Sequence, residues 1–288
     1  MDNLNNYLKQ KNPTIFFDDK IVLHDFYEDP ETKELKEHVY IVDGKDTNYT
    51  SSTTFIHNFF PEFPQTMIIS NIIKSKNPNP KYKGKTFDEI KKMWEDNGKE
   101  ARDLGTIMHN QIEKFYNIPS LWENQDDLNL FYNKEEINTT EFNYFLIFHN
   151  EVVLKNEWIP FRTECRIFDR IFRISGSIDM LYKSPKYTEN NKELILIDWK
   201  RSKEIKKENK YKKGFFPIND LPDCNFIHYS LQLNLYKEIL ERNTDYKIIF
   251  MALAVFHPNQ SKPVLKQVDD MKSYIDKMIS HKLLNQKE

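Results

Sequence analysis

An aspartate and a lysine two positions apart, Asp198 and Lys200, close the apolar stretch "LILIDWKRS". Side chains alternate along a strand, so these two point to one side and Trp199 to the other. A carboxylate and an ammonium at the end of a buried strand are costly unless each finds a partner. A second carboxylate stands upstream in "SGSIDML", where Asp179 follows Gly176, a residue that lets a hairpin neighbour or a ligand approach. Two carboxylates brought together from adjacent strands repel each other. A divalent cation between them removes that penalty, and hard oxygen ligands suit Mg²⁺. Lys200 beside such an ion can stabilise charge building on a phosphate oxygen or help orient a water. The chemistry that fits is attack of a metal-activated water on a phosphodiester. Alone, so short a pattern as Asp-x-Lys is more often an ordinary ion pair at a strand end.

These residues need elements to position them. Residues 14–47 alternate apolar runs with turn residues and predict strands or a hairpin, with "EDPETKE" as the turn. "YTSSTTFIHNFF" places Ser and Thr just before an apolar helical pattern, a helix start. Residues 86–117 predict a helix with a break near Asn97-Gly98, residues 119–137 an inserted polar and acidic loop, and residues 140–154 another helix. From Phe161 the period changes to two. "FRTECRIF" predicts a strand, Asp169-Arg170 a turn, "IFRISGSIDMLYK" a second strand and "ELILIDWK" a third, whose unbroken apolar run indicates burial on both faces. "NFIHYSLQLNLYKEILERN" predicts a helix with Leu231, Leu235 and Ile239 on one face, "YKIIFMALAVF" a fourth strand, and residues 264–284 a closing helix. The order helix, three strands, helix, strand is that of an α/β fold with a mixed sheet. The expected division is a strand-rich N-terminal extension with its first helix (1–85), packed on a core of residues 86–288 as one compact unit.

The bulk numbers are compatible with that plan. The chain has 288 residues, 39% of them hydrophobic, enough for one large domain or a core with an appendage. The net charge is −2, so any binding of nucleic acid must rest on local positive charge. Cys165 and Cys224 are too few for a disulfide framework. The first residues have no secretory h-region and no apolar run approaches the ~18 residues of a membrane span, so a soluble intracellular protein is expected.

"GSID", then 18 intervening residues, then "DWK", then "QLNLY" in the following helix resemble the PD-(D/E)xK nuclease superfamily, and within it the RecB-like exonuclease branch. "GTIMHNQIE" resembles the His-bearing helix of that branch, and "YTSSTTFI" its opening element. The resemblance covers roughly 50–256. It implies a restriction-endonuclease-like core, a mixed sheet flanked by helices, and a Mg²⁺- or Mn²⁺-dependent deoxyribonuclease acting on single-stranded DNA or free ends. It implies Asp179, Asp198, His109 and the Trp199 carbonyl as metal ligands, Lys200 as the catalytic lysine, and Gln232 and Tyr236 as the Gln-x-x-x-Tyr pair. Glu113, one turn beyond His109 on the same helix face, either orients its ring from behind or merely caps a surface pair, and Glu164 is placed to touch the metal through water. Asp198 stands where many relatives have Glu. Two cysteines cannot hold the iron–sulfur cluster of some relatives, so no cluster is expected.

From 200 to 213 the chain carries eight Lys or Arg and two Glu. Directly after the catalytic strand, Arg201, Lys203, Lys206, Lys207, Lys210, Lys212 and Lys213 are candidates for phosphate contact. The competing readings are a catalytically silent nucleic-acid-binding protein on a nuclease fold and a structure-specific endonuclease. Nothing in the sequence points to a protein partner.

Overall fold

The computed structural model describes residues 6–28, 33, 35–123 and 127–285. A short helix α1 (Tyr7–Lys11) precedes an antiparallel hairpin, β1 (Ile21–Glu28) and β2 (Leu35–Val42). The expected turn "EDPETKE" lies largely outside the described residues. There follow β3 (Thr50–Ser51), α2 (Ser52–His57), α3 (Gln65–Lys74), α4 (Phe87–Tyr116), α5 (Pro119–Glu123), α6 (Lys134–Ile137) and α7 (Thr140–Phe148), which runs on as a π-helical turn, His149–Leu154. The second half of the chain contains β4 (Ile159–Asp169), β5 (Ile174–Lys183), β6 (Glu193–Lys200), α8 (Asn225–Asn243), β7 (Lys247–Val255), β8 (Val264–Gln267) and α9 (Lys272–Asn285).

The main sheet is mixed. β4 pairs antiparallel along one edge of β5. The other edge of β5 is shared: β3 pairs parallel with its first residues, at Ile174 and Ser175, and β6 antiparallel with its last, Met180 to Lys183. β7 lies parallel to β6, and β8 antiparallel to β7. Strand β6 is buried on both faces, as its apolar run predicts. Leu194 and Leu196 join the core under α2, α8 and α9, while Ile195, Ile197 and Trp199 join the core under α4 and α7. Leu231, Leu235 and Ile239 are fully buried on α8, so the leucine stripe does face the core.

Three expectations are corrected. Helix α4 is continuous over 30 residues, with no break at Asn97-Gly98. A glycine inside a helix costs only about 1 kcal/mol. Here a capping box, Thr86 with Glu89, secures the start, and Met108, Ile112, Phe115 and Tyr116 bury the far half. Residues 119–137 are not one loop, because α5 and α6 form within them; α6 is held by its own capping box, Asn133 with Glu136. Residues 264–284 begin as an edge strand, β8, before α9, since Val264 and Leu265 pair with Val255 and Ala254. No helix among the described residues is long and apolar enough to cross a membrane.

Under α7, Tyr182 Oη donates to Tyr116 Oη at 2.6 Å, which lies 3.1 Å from Nδ1 of the buried His149. Nε2 of His149 has no hydrogen-bond partner among the described residues. Burial lowers its pKa from 6.5 to about 4. The unfolded chain therefore takes up this proton before the folded one, so stability falls as pH drops from about 6.5 towards 4. The expected outcome is that His149→Gln, which keeps an acceptor for Tyr116, flattens that part of a Tm-against-pH curve by an amount equivalent to about 2–3 kcal/mol.

Candidate active site

The site forms where β5 and β6 part. Their ladder ends at Met180 and Ile197, and one further step in register would set Asp179 beside Asp198. On the other edge of β5, the pairs Thr163↔Met180 and Cys165↔Ile178 set Glu164 opposite Asp179. Three carboxylates thus stand in one row across β4, β5 and β6. With the ladder ended, the Trp199 N–H takes the Asp179 carboxylate as its acceptor, Oδ2 at 2.8 Å. Glu164 has φ of +44°, a conformation that costs a non-glycine residue about 1–2 kcal/mol. Its Oε2 accepts from Ser177 Oγ at 3.0 Å, and its Oε1 lies 3.6 Å from His109 Nδ1.

His109, on α4, completes the cluster. Nδ1 is 3.8 Å from Asp179 Oδ2, and Nε2 is 3.2 Å from the Trp199 carbonyl. A carbonyl can only accept, so Nε2 carries a proton and Nδ1 faces the acids. Ligand-type atoms of His109, Glu164 and Asp179 all lie within 4.8 Å of one another. Glu164, expected to act through water, is therefore one of the clustered groups. The Trp199 carbonyl, expected as a ligand, is engaged by the imidazole.

Asp198 sits just outside that triad and is 2% exposed. Lys200 Nζ lies 2.6 Å from its Oδ2 and 4.7 Å above the Tyr229 ring. A buried carboxylate beside two further carboxylates and an imidazole, with a single ammonium to balance them, suits a divalent cation. Mg²⁺ fits the oxygens, and the imidazole extends the set to Mn²⁺.

The electrostatics follow from the crowding. Burial opposes a charge on His109, but Asp179 and Glu164 outweigh it and raise its pKa to about 9. Burial, then Asp179, pushes Asp198 up to about 6 against the pull of Lys200. Asp179 is also raised, by burial and by Glu164. Lys200 loses to burial but is raised on balance by Asp198 and Asp179. Burial, then Glu164, lifts Glu113 to about 7. Glu113 lines the same cleft as Glu164 and Arg166, and the ring nitrogens of His109 face the Trp199 carbonyl and the acids, so no hydrogen bond from Glu113 orients the ring.

Gln232 and Tyr236 meet, Nε2 donating to Oη at 2.7 Å. Gln232 lines a cleft with Lys200. Tyr236, expected to offer its tip to the site or to DNA, is buried instead. A Cβ on Gly176 would come 2.5 Å from the Tyr236 ring and 2.7 Å from Ser52 Oγ. The neighbour that Gly176 admits is therefore this tyrosine. Arg201 also departs from expectation: its Nε donates to Glu141 at 2.7 Å and its side chain is 13% exposed, so the buried Glu141 withdraws it from the surface. Lys203, Lys206, Lys207, Lys210 and Lys213 are exposed and Lys212 is half-buried. The segment has no helix or long strand and is tied down at Asn225, which bonds Lys206 N and Glu204 O.

Sequence reasoning missed Tyr40 on β2. Burial, then the charges of Glu164 and, to a lesser degree, Asp179, raise its hydroxyl to about 12, which places it beside the acids. It also missed His57 and His228, which flank Lys200 in the cleft. Neither lies in a motif, and only the fold brings α2 to α8.

Residues 81–284 match the model of the PD-(D/E)XK nuclease superfamily, which covers most of the chain, and the protein belongs to that superfamily. That makes it a nuclease, a hydrolase of nucleic acid, in a superfamily that works with divalent metal ions. Among solved structures, a candidate exonuclease from Eubacterium rectale is similar at 12% identity over 83% of this chain and 79% of that one, with a TM-score of 0.33. The protein SSO0001 is similar at 17% identity over 51% of this chain and 60% of its own, with a TM-score of 0.22. No curated protein matches the sequence.

A cation must displace the protons held by the site. Mn²⁺ affinity, measured by calorimetry, should therefore rise with pH up to about 9, as His109 gives up its proton. His109→Ala and Glu164→Ala should each weaken it by more than about tenfold, and His109→Ala should remove the upper part of the pH dependence.

Proposed function

We propose that the protein is a Mg²⁺- or Mn²⁺-dependent deoxyribonuclease, an exonuclease acting on single strands or free ends in DNA repair, recombination or replication. The observation that carries this reading is the cluster of His109, Glu164 and Asp179 beside the Asp198–Lys200 pair. A divalent ion there would polarise a phosphodiester and make water a better nucleophile. Asp179, Asp198, His109 and Glu164 would hold it, with the Trp199 carbonyl orienting the histidine. The Lys200 ammonium, fixed between Asp198 and the Tyr229 ring, would stabilise negative charge building on the phosphate. Gln232 would face the substrate, held by Tyr236 from behind. The exonuclease assignment draws on the resemblance to the RecB-like branch, carried by "GTIMHNQIE", "GSID", "DWK" and "QLNLY".

The test uses end-labelled linear DNA and closed circular duplex with Mg²⁺, Mn²⁺ or EDTA. Linear and single-stranded DNA should be degraded, circles spared, and EDTA should stop the reaction. Asp179→Ala, Asp198→Ala and Lys200→Ala should each abolish cleavage while far-ultraviolet circular dichroism stays unchanged. Undiminished cleavage by Lys200→Ala would falsify the mechanism, and efficient nicking of relaxed circles would make the protein an endonuclease.

The exposed lysines of 203–213 supply the local positive charge that a net-acidic protein needs. In Ca²⁺, replacing Lys203, Lys206, Lys207 and Lys210 with Gln should flatten the slope of log affinity against log salt by about two to three units. It should weaken all sequences alike, because phosphate contacts carry no sequence information. An unchanged slope would make the segment a solvated loop.

A further inference from the structure

Beyond Lys200, on the side away from the His109 cluster, the cleft continues between α2 and α8. Its walls are built by helical periodicity. Thr53 and His57, four residues apart, form the exposed edge of α2, whose other face buries Phe55 and Ile56. His228 and Gln232, also four apart, face them from α8. The His57 and His228 rings stand 5.4 Å apart, and Phe60 backs His228 with its ring centroid at 4.0 Å. His228 Nε2 donates to Asp223 Oδ1 at 2.9 Å, which fixes the ring beside His57. The same two histidines line the next stretch of cleft, which runs past Lys212 towards the exposed Phe63.

We propose that His57, supported by His228, forms with Thr53 and Gln232 a subsite for the backbone phosphate next to the scissile one, and that the nucleic-acid strand leaves the metal cluster along this cleft. The proposal rests on the nuclease reading and extends it. The lining is right for a phosphodiester: the His57 imidazole, the Lys200 ammonium, the Thr53 hydroxyl and the Gln232 amide can donate, while His228, whose Nε2–H is taken by Asp223, packs beside the His57 ring and supports it. The position is right as well. Lys200 belongs both to the Asp198 pair and to this cleft, so a phosphate in the cleft adjoins one at the cluster. Asn225 ties the basic segment to the rim, which places its lysines further along the same path.

The test is a cycle between protein and substrate, read as binding in Ca²⁺ by fluorescence anisotropy. Single-stranded oligonucleotides carry one neutral methylphosphonate, stepped through successive positions. Wild-type protein should lose about tenfold in affinity at one position adjacent to the scissile phosphate, the size expected for a charge-assisted hydrogen bond. In His57→Ala and in His57→Ala/His228→Ala the penalty at that position should fall below about twofold, with penalties elsewhere unchanged. His57 is exposed, so the single variant keeps the test valid if the double variant misfolds. Penalties that stay the same in the variants at every position would overturn the subsite. Cleavage of the unmodified strand in Mn²⁺ is followed in parallel. Coupling without cleavage would leave the subsite standing and remove the nuclease reading; cleavage without coupling would do the reverse.

Discussion

A row of three carboxylates across adjacent strands, Glu164, Asp179 and Asp198, is the constraint to which the rest of the site answers. Two like charges about 4 Å apart interact by about 4 kcal/mol at an effective dielectric near 20. A single hydrogen bond contributes about 1 kcal/mol, so hydrogen bonding alone does not hold such a row together. Positive charge must. Lys200 supplies it at the Asp198 end and His109 at the Glu164 end, and the raised pKa values of Asp179, Asp198 and His109 all report the remaining imbalance. A divalent cation is the natural remedy, since it brings two charges to the centre of the row.

The fold makes the row possible by ending a ladder early. Past Met180 and Ile197, β5 and β6 no longer bond, and the freed Trp199 N–H is satisfied by Asp179 itself. The gap in the sheet is filled from one side. Ser52 donates to the Ser175 carbonyl, and Tyr236 lies against Gly176, where no Cβ could be accommodated. His109 reaches the strand end from the other side, its ring set by the Trp199 carbonyl, while the Trp199 indole is buried among Phe145, Phe148 and Phe256. Helices of both faces thus converge on one strand end.

Much of this was legible in the sequence. The two-residue offset of Asp198 and Lys200 put them on one side of a strand, and they meet there. The apolar run of β6 announced burial on both faces, and the histidine helix was recognisable by resemblance. What stayed hidden depends on register and on long-range approach. Glu164, expected to reach the metal only through water, stands within the cluster because the register of β4 on β5 sets it opposite Asp179. Arg201 is consumed by Glu141, 60 residues away. Tyr40, His57 and His228 reach the site only because β2, α2 and α8 pack around the sheet. The helix runs through Gly98, and residues 264–267 form β8, because capping and edge pairing outweigh local punctuation.

The central claim is that the carboxylate row and His109 together hold one divalent cation. Anomalous diffraction from a Mn²⁺-soaked crystal tests it most directly. The account predicts a peak at coordination distance, about 2 Å, from His109 Nδ1 and from carboxylate oxygens of Glu164 and Asp179, with Asp198 turned towards it. An ion bound by the acids with His109 remote, or no ordered ion at the strand end, would contradict it.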